Sequence, residues 1–93
     1  MNVGDLLEDV AKEAGVEIGA MKDRVATYAA ERAAHLATIP VTDPGYNRAL
    51  RVERNNVAMQ LGLDTTRTAD AADARIVGFI QGLLLFLAGV KTA

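Results

Sequence analysis

Residues 76–90 read Ile-Val-Gly-Phe-Ile-Gln-Gly-Leu-Leu-Leu-Phe-Leu-Ala-Gly-Val, and Gln81 is their only strongly polar side chain. A helix that is apolar around its whole circumference has to be covered on more than one side. The rest of the chain supplies three more helical segments, which are expected to cover two sides of it. The remaining side is expected to meet another chain or a lipid.

Composition sharpens that expectation. The chain is 51% hydrophobic but only 4% aromatic, and alanine supplies much of the difference. Alanine favours helix yet buries little area, so close helix contacts are expected rather than a thick core. A chain of 93 residues makes one small domain, 1–93, burying roughly two-thirds of its unfolded surface.

Val3, Leu6, Leu7, Val10, Ala11 and Ala14 recur at the spacing of an amphipathic helix. Asn2 or Asp5 can cap its start, and Gly15 suits the left-handed position after its end. A second helix is predicted over 17–39, stopped by Pro40, with Ile18, Met21, Val25, Tyr28, Ala29, Leu36 and Ile39 on one arc. Arg32 falls in the middle of that arc, with Glu31 and His35 at its edge. Asp43 and Pro44 suit the cap and first position of a third helix that closes on Gly62. Tyr46, Leu50, Val57 and Leu61 form one apolar strip of this helix, and Ala49, Val52, Met59 and Leu63 a second. Between the strips runs a polar row of Glu53, Asn56 and Gln60. Thr68 is the expected cap of the fourth helix, placing Asp70 and Asp73 in its first turn, where the helix dipole favours negative charge. The fold class is therefore all-α: four helices, one short and three long, in an antiparallel bundle with an apolar C-terminal helix.

Two clusters stand out as sites. Buried polar groups need partners, so Arg32 is expected to pair with Glu53, with Asn56 or Gln60 completing the network and fixing register. On the fourth helix, Gly78, Gly82 and Gly89 fall on one side. Each glycine in a helix interior costs roughly 1 kcal/mol against alanine, so close backbone approach is expected there, inside the fold or between chains. The expected interface comprises Ile76, Val77, Gly78, Phe79, Ile80, Gly82, Leu83, Leu84, Leu85, Phe86, Leu87 and Gly89. Val77, Leu84 and Leu85 project away from the main apolar arc and are the leading candidates for burial between chains.

Other chemistry finds little footing. Glu31 and His35 lie four apart, and Glu53 could join them, but a di-iron bundle needs Glu-x-x-His motifs and further carboxylates, so no metal or other cofactor is expected. With one histidine, no cysteine, no serine and no glycine-rich phosphate loop, no nucleophile–base pair can be assembled and no enzyme is expected. Residues 9–18, Asp-Val-Ala-Lys-Glu-Ala-Gly-Val-Glu-Ile, resemble the opening of a LacI-type helix-turn-helix, with Val10, Ala11, Ala14, Gly15, Val16 and Met21 at its core positions. That resemblance implies a DNA-binding module dimerised by the C-terminal helix. The pattern breaks at Glu17, Asp23 and Arg24, and glutamate at the start of a recognition helix would face phosphates. The formal net charge of -2 also disfavours a nucleic-acid footprint.

A membrane role is disfavoured as well. Fifteen apolar residues extend about 22 Å as a helix, short of the roughly 20 residues a bilayer span needs. No signal peptide is recognisable, which points to the cytoplasm or the inside of a large assembly. The expected function is a non-enzymatic structural subunit that forms homo-oligomers, with itself and other assembly proteins as partners, as in a virion.

Overall fold

The computed structural model describes residues 2–13 and 15–90, so Ala14 of the expected first stripe lies outside the described residues. The chain is all-α. Its helices are α1 (Val3–Glu13), α2 (Lys22–Leu36, preceded by a 3-10 turn at Gly19–Met21), α3 (Tyr46–Gln60) and α4 (Ala71–Leu87).

Helix ends follow local chemistry. Asn2 Oδ1 accepts the Asp5 N–H at 2.9 Å, so Asn2 caps α1. After α1, Gly15 takes φ +79° and Val16 N–H donates back to the Ala11 carbonyl at 2.8 Å, the left-handed termination expected of glycine. Gly62 ends α3 the same way, with Leu63 N–H reaching the Ala58 carbonyl at 3.2 Å.

Four expected boundaries are corrected. The second helix begins at Lys22 rather than 17, because Gly19 at φ +44° breaks the helical path. It ends at Leu36, before Pro40 is reached. The third begins at Tyr46 with Gly45 at the cap position, while Asp43 Oδ1 takes the Gly45 N–H at 2.7 Å. The fourth is capped by Asp70, which accepts the Asp73 N–H at 2.8 Å, and not by Thr68. Thr68 instead belongs to a loop knot in which Thr66 Oγ1 bonds Asp64 Oδ1 at 2.6 Å and Thr68 Oγ1 at 2.8 Å. Asp73 Oδ2 accepts the Asp64 N–H at 3.0 Å, tying that loop to the start of α4.

Packing centres on α2, which touches α1, α3 and α4, while α4 also packs on α3 and more lightly on α1. The core contains Leu7 and Ala11 of α1, Val25, Ala29, Ala33 and Leu36 of α2, Tyr46, Leu50, Val57 and Ala58 of α3, and Ile76, Val77, Ile80, Leu83 and Leu84 of α4. Leu7, Leu36, Ile76, Ile80 and Leu84 are almost wholly removed from solvent, each contributing about 1.5–3 kcal/mol of burial. At the surface Lys22 Nζ meets Asp5 Oδ1 at 2.8 Å and joins α1 to α2. That hydrogen bond lowers the Asp5 pKa and raises that of Lys22.

Candidate functional site

The expected interface of α4 divides in two. Ile76, Val77, Ile80, Leu83 and Leu84 are buried within the chain itself. The expectation that Val77 and Leu84 project toward another chain is thus corrected: α1, α2 and α3 together cover a wider arc of α4 than two sides. The expected orientation was also out of phase. Gln81 supplies the missing phase, because its Oε1 accepts from Arg54 Nη1 at 3.0 Å and locks that edge of α4 onto α3. A single polar residue in an apolar run is the signal that would have found this partner.

The other half faces outward. Gly78 and Gly82 are exposed, Phe79, Leu85 and Leu87 are half-buried, and Phe86 is 76% exposed. A Cβ added at Gly78 or Gly82 would meet nothing within 4 Å, so neither marks a tight contact inside the fold, as one reading of the sequence expected. Gly89 lies beyond the helix at φ +79°, where Val90 N–H donates to the Leu85 carbonyl at 3.0 Å; its role is termination. The glycine that does mark close approach is Gly4, where a Cβ would lie 2.8 Å from Asp23 Oδ1.

The polar network forms between α2 and α3. Arg32 Nη1 stands 3.4 Å from Glu53 Oε2, and Asn56 Nδ2 donates to Glu53 Oε1 at 3.0 Å. The Arg32 guanidinium also lies 5.8 Å from the Tyr28 ring centroid, within cation–π range. Glu53 is the one charged residue in the described core, its side chain 5% exposed against 35% for Arg32. Gln60, the alternative to Asn56 expected in this network, is exposed instead.

Beside the network an open cleft of about 460 Å³ is lined by Arg32, His35, Arg48, Ala49, Val52 and Glu53, among others. Arg48 and Val52 line it although neither belongs to the polar network expected from the sequence. Val52 and Met59, assigned to a second buried strip, are 52% and 65% exposed; only Leu63 of that strip joins the core.

Glu31 and His35 are both exposed while Glu53 is buried against Arg32. Among the described residues no group of three His, Cys, Asp or Glu side chains is placed to hold a metal, and no helix is long and apolar enough to cross a membrane. The segment resembling a helix-turn-helix leads into α2, the helix contacted by all the others, with Glu17 and Asp23 exposed at its approach. No protein-family model matches this sequence, and no curated protein or solved structure matches it significantly.

Proposed function

We propose that this chain is a non-enzymatic assembly subunit that associates with copies of itself through the outward face of α4. The observation that supports it is Phe86, 76% exposed on a helix with no charged side chain after Arg75. Around it lie half-buried Phe79 and Leu85 and the open backbone at Gly78 and Gly82. A ring this exposed contributes nothing to the chain's own core, whereas aromatic anchors dominate binding energy at protein interfaces. The glycines leave room for a partner backbone to come close.

Light scattering on size-exclusion fractions tests the proposal. Wild type is expected to elute as a defined oligomer in detergent-free buffer. Phe86→Glu is expected to elute as a monomer with unchanged helix content. A wild type that is monomeric at every concentration tested refutes it.

A further inference from the structure

Two outward helix faces that the fold leaves unused complement each other. On α1, Leu6, Asp9 and Glu13 fall within about 60° of one another around the helix axis, and all three are exposed. Lys12 falls about 100° from Glu13, off that face. On α3, Arg48, Val52, Asn55 and Met59 likewise share about 60° of arc, with Arg51 beside them. Leu6, Val52 and Met59 are 38%, 52% and 65% exposed, while Glu53, the only acid of α3, is buried. One face is therefore apolar and acidic, the other apolar and basic. Among the described residues, none of Asp9, Glu13, Arg48 and Arg51 belongs to an ion pair.

Residue order sets how the faces can meet. Leu6 precedes its acids along α1, whereas the arginines precede Val52 and Met59 along α3. An antiparallel approach sets apolar on apolar and acid on base; a parallel one does not. Leu6 then enters the hole framed by Val52, Asn55, Asn56 and Met59, four residues spaced to receive one knob. Glu13, seven residues further on, comes level with Arg48, and Asp9 lies beside Arg51. The helix dipoles favour the same arrangement. Glu13 sits in the last turn of α1 and Arg48 in the first turn of α3, each at the end of its own helix where its charge is unfavourable. Antiparallel contact brings Glu13 to the positive pole of the partner's α3 and Arg48 to the negative pole of the partner's α1.

We propose that the α1 face of one copy docks on the α3 face of a second copy, antiparallel and head to tail. This rests on the reading of the chain as an assembly subunit but uses neither α4 nor Phe86. The two surfaces differ, so the contact is heterologous and leaves a free face for a further copy. Exposed charges around one apolar knob make a weak contact, with a Kd of about 1 mM, silent in dilute chromatography and multiplied by avidity among copies already joined through α4.

Amide NMR of the full chain carrying Phe86→Glu tests it with α4 association removed. At about 1 mM protein and low salt, concentration-dependent shifts are expected at residues 6–13 and 48–59, and they should vanish in about 1 M salt. Asp9→Arg with Glu13→Arg, or Arg48→Glu with Arg51→Glu, is expected to abolish them while keeping the fold, because each reversal at Glu13 or Arg48 suits its own helix end. Mixing the two reversed chains is expected to restore saturable shifts in both stretches. An unreversed chain without such shifts, reversed chains that still self-associate, or a mixture that stays silent would overturn the proposal. Shifts at 48–59 that arise only on adding a DNA duplex would overturn it too, by giving the α3 face to nucleic acid. A mixture that binds while wild type is monomeric in light scattering would support this contact and remove the α4 reading alone.

Discussion

Leu84 and Phe86 lie two residues apart on α4, yet one is 0% exposed and the other 76%. Their truncations should therefore separate folding from association. Leu84→Ala removes three carbons from the core, worth about 2.4 kcal/mol of transfer free energy at roughly 0.8 per carbon. A residual cavity raises the loss to about 3 kcal/mol, inside the range for buried Leu→Ala changes. A 93-residue chain has about 5–14 kcal/mol of total stability, so this is a large share. At about 4–8 °C per kcal/mol for a domain of this size, the melting temperature should fall by about 12–24 °C. Phe86→Ala should change monomer stability by no more than about 0.5 kcal/mol. Thermal unfolding followed by circular dichroism over a range of protein concentrations reads both. For wild type and Leu84→Ala the melting temperature should rise with concentration, because association stabilises the folded state by mass action. For Phe86→Ala that dependence should disappear. A near-neutral Leu84→Ala, or a Phe86→Ala that destabilises by several kcal/mol at all concentrations, would refute the assignment of the two faces.

Gly78→Ala and Gly82→Ala, with open space at both positions, should each stabilise the monomer by about 0.8–1 kcal/mol in urea unfolding through helix propensity; loss of stability would mean a tight contact inside the fold after all. A double-mutant cycle on Arg32→Met and Glu53→Gln should give a coupling energy of about 0.5–3 kcal/mol, whereas strict additivity would remove the pair. The ion pair of Asp5 and Lys22 predicts losses at both ends of the pH scale. The lowered Asp5 pKa contributes stability above its unfolded value of about 3.9, lost as pH falls through the folded value. The raised Lys22 pKa contributes stability below about 10.4, lost as pH rises through its folded value. Asp5→Asn should flatten both limbs of a stability–pH curve, and unaltered limbs would show that the pair contributes nothing.

Much of this architecture was legible in the residues. Glycines at the ends of amphipathic patterns located the stops of α1 and α3, because only glycine adopts positive φ without cost. Arg32 and Glu53 were legible as a pair because each placed a charge on or between apolar strips, where an unpartnered charge is expensive. Other features were hidden for equally physical reasons. A helix apolar all round carries no phase in its pattern, so the buried side of α4 could not be read from its leucines; contact with α3, registered by Arg54 and Gln81, sets it. Thr68 and Asp70 are both competent caps, and the choice fell to Asp70 through the Asp73 amide, with the Asp73 carboxylate bound to the Asp64 N–H. The cleft was illegible because it arises where the first turn of α3 faces the end of α2, a juxtaposition that no local spacing encodes.

The chain contains two phenylalanines, Phe79 and Phe86, both on α4. Biosynthetic labelling with 4-fluorophenylalanine therefore yields two fluorine resonances, assigned by replacing either residue with leucine. On dilution from the oligomer, the Phe86 resonance should move toward that of a solvent-exposed ring, with the larger displacement of the two. A Phe86 resonance unchanged from the highest concentration to the lowest, while light scattering records an oligomer dissociating, would contradict assembly through this face.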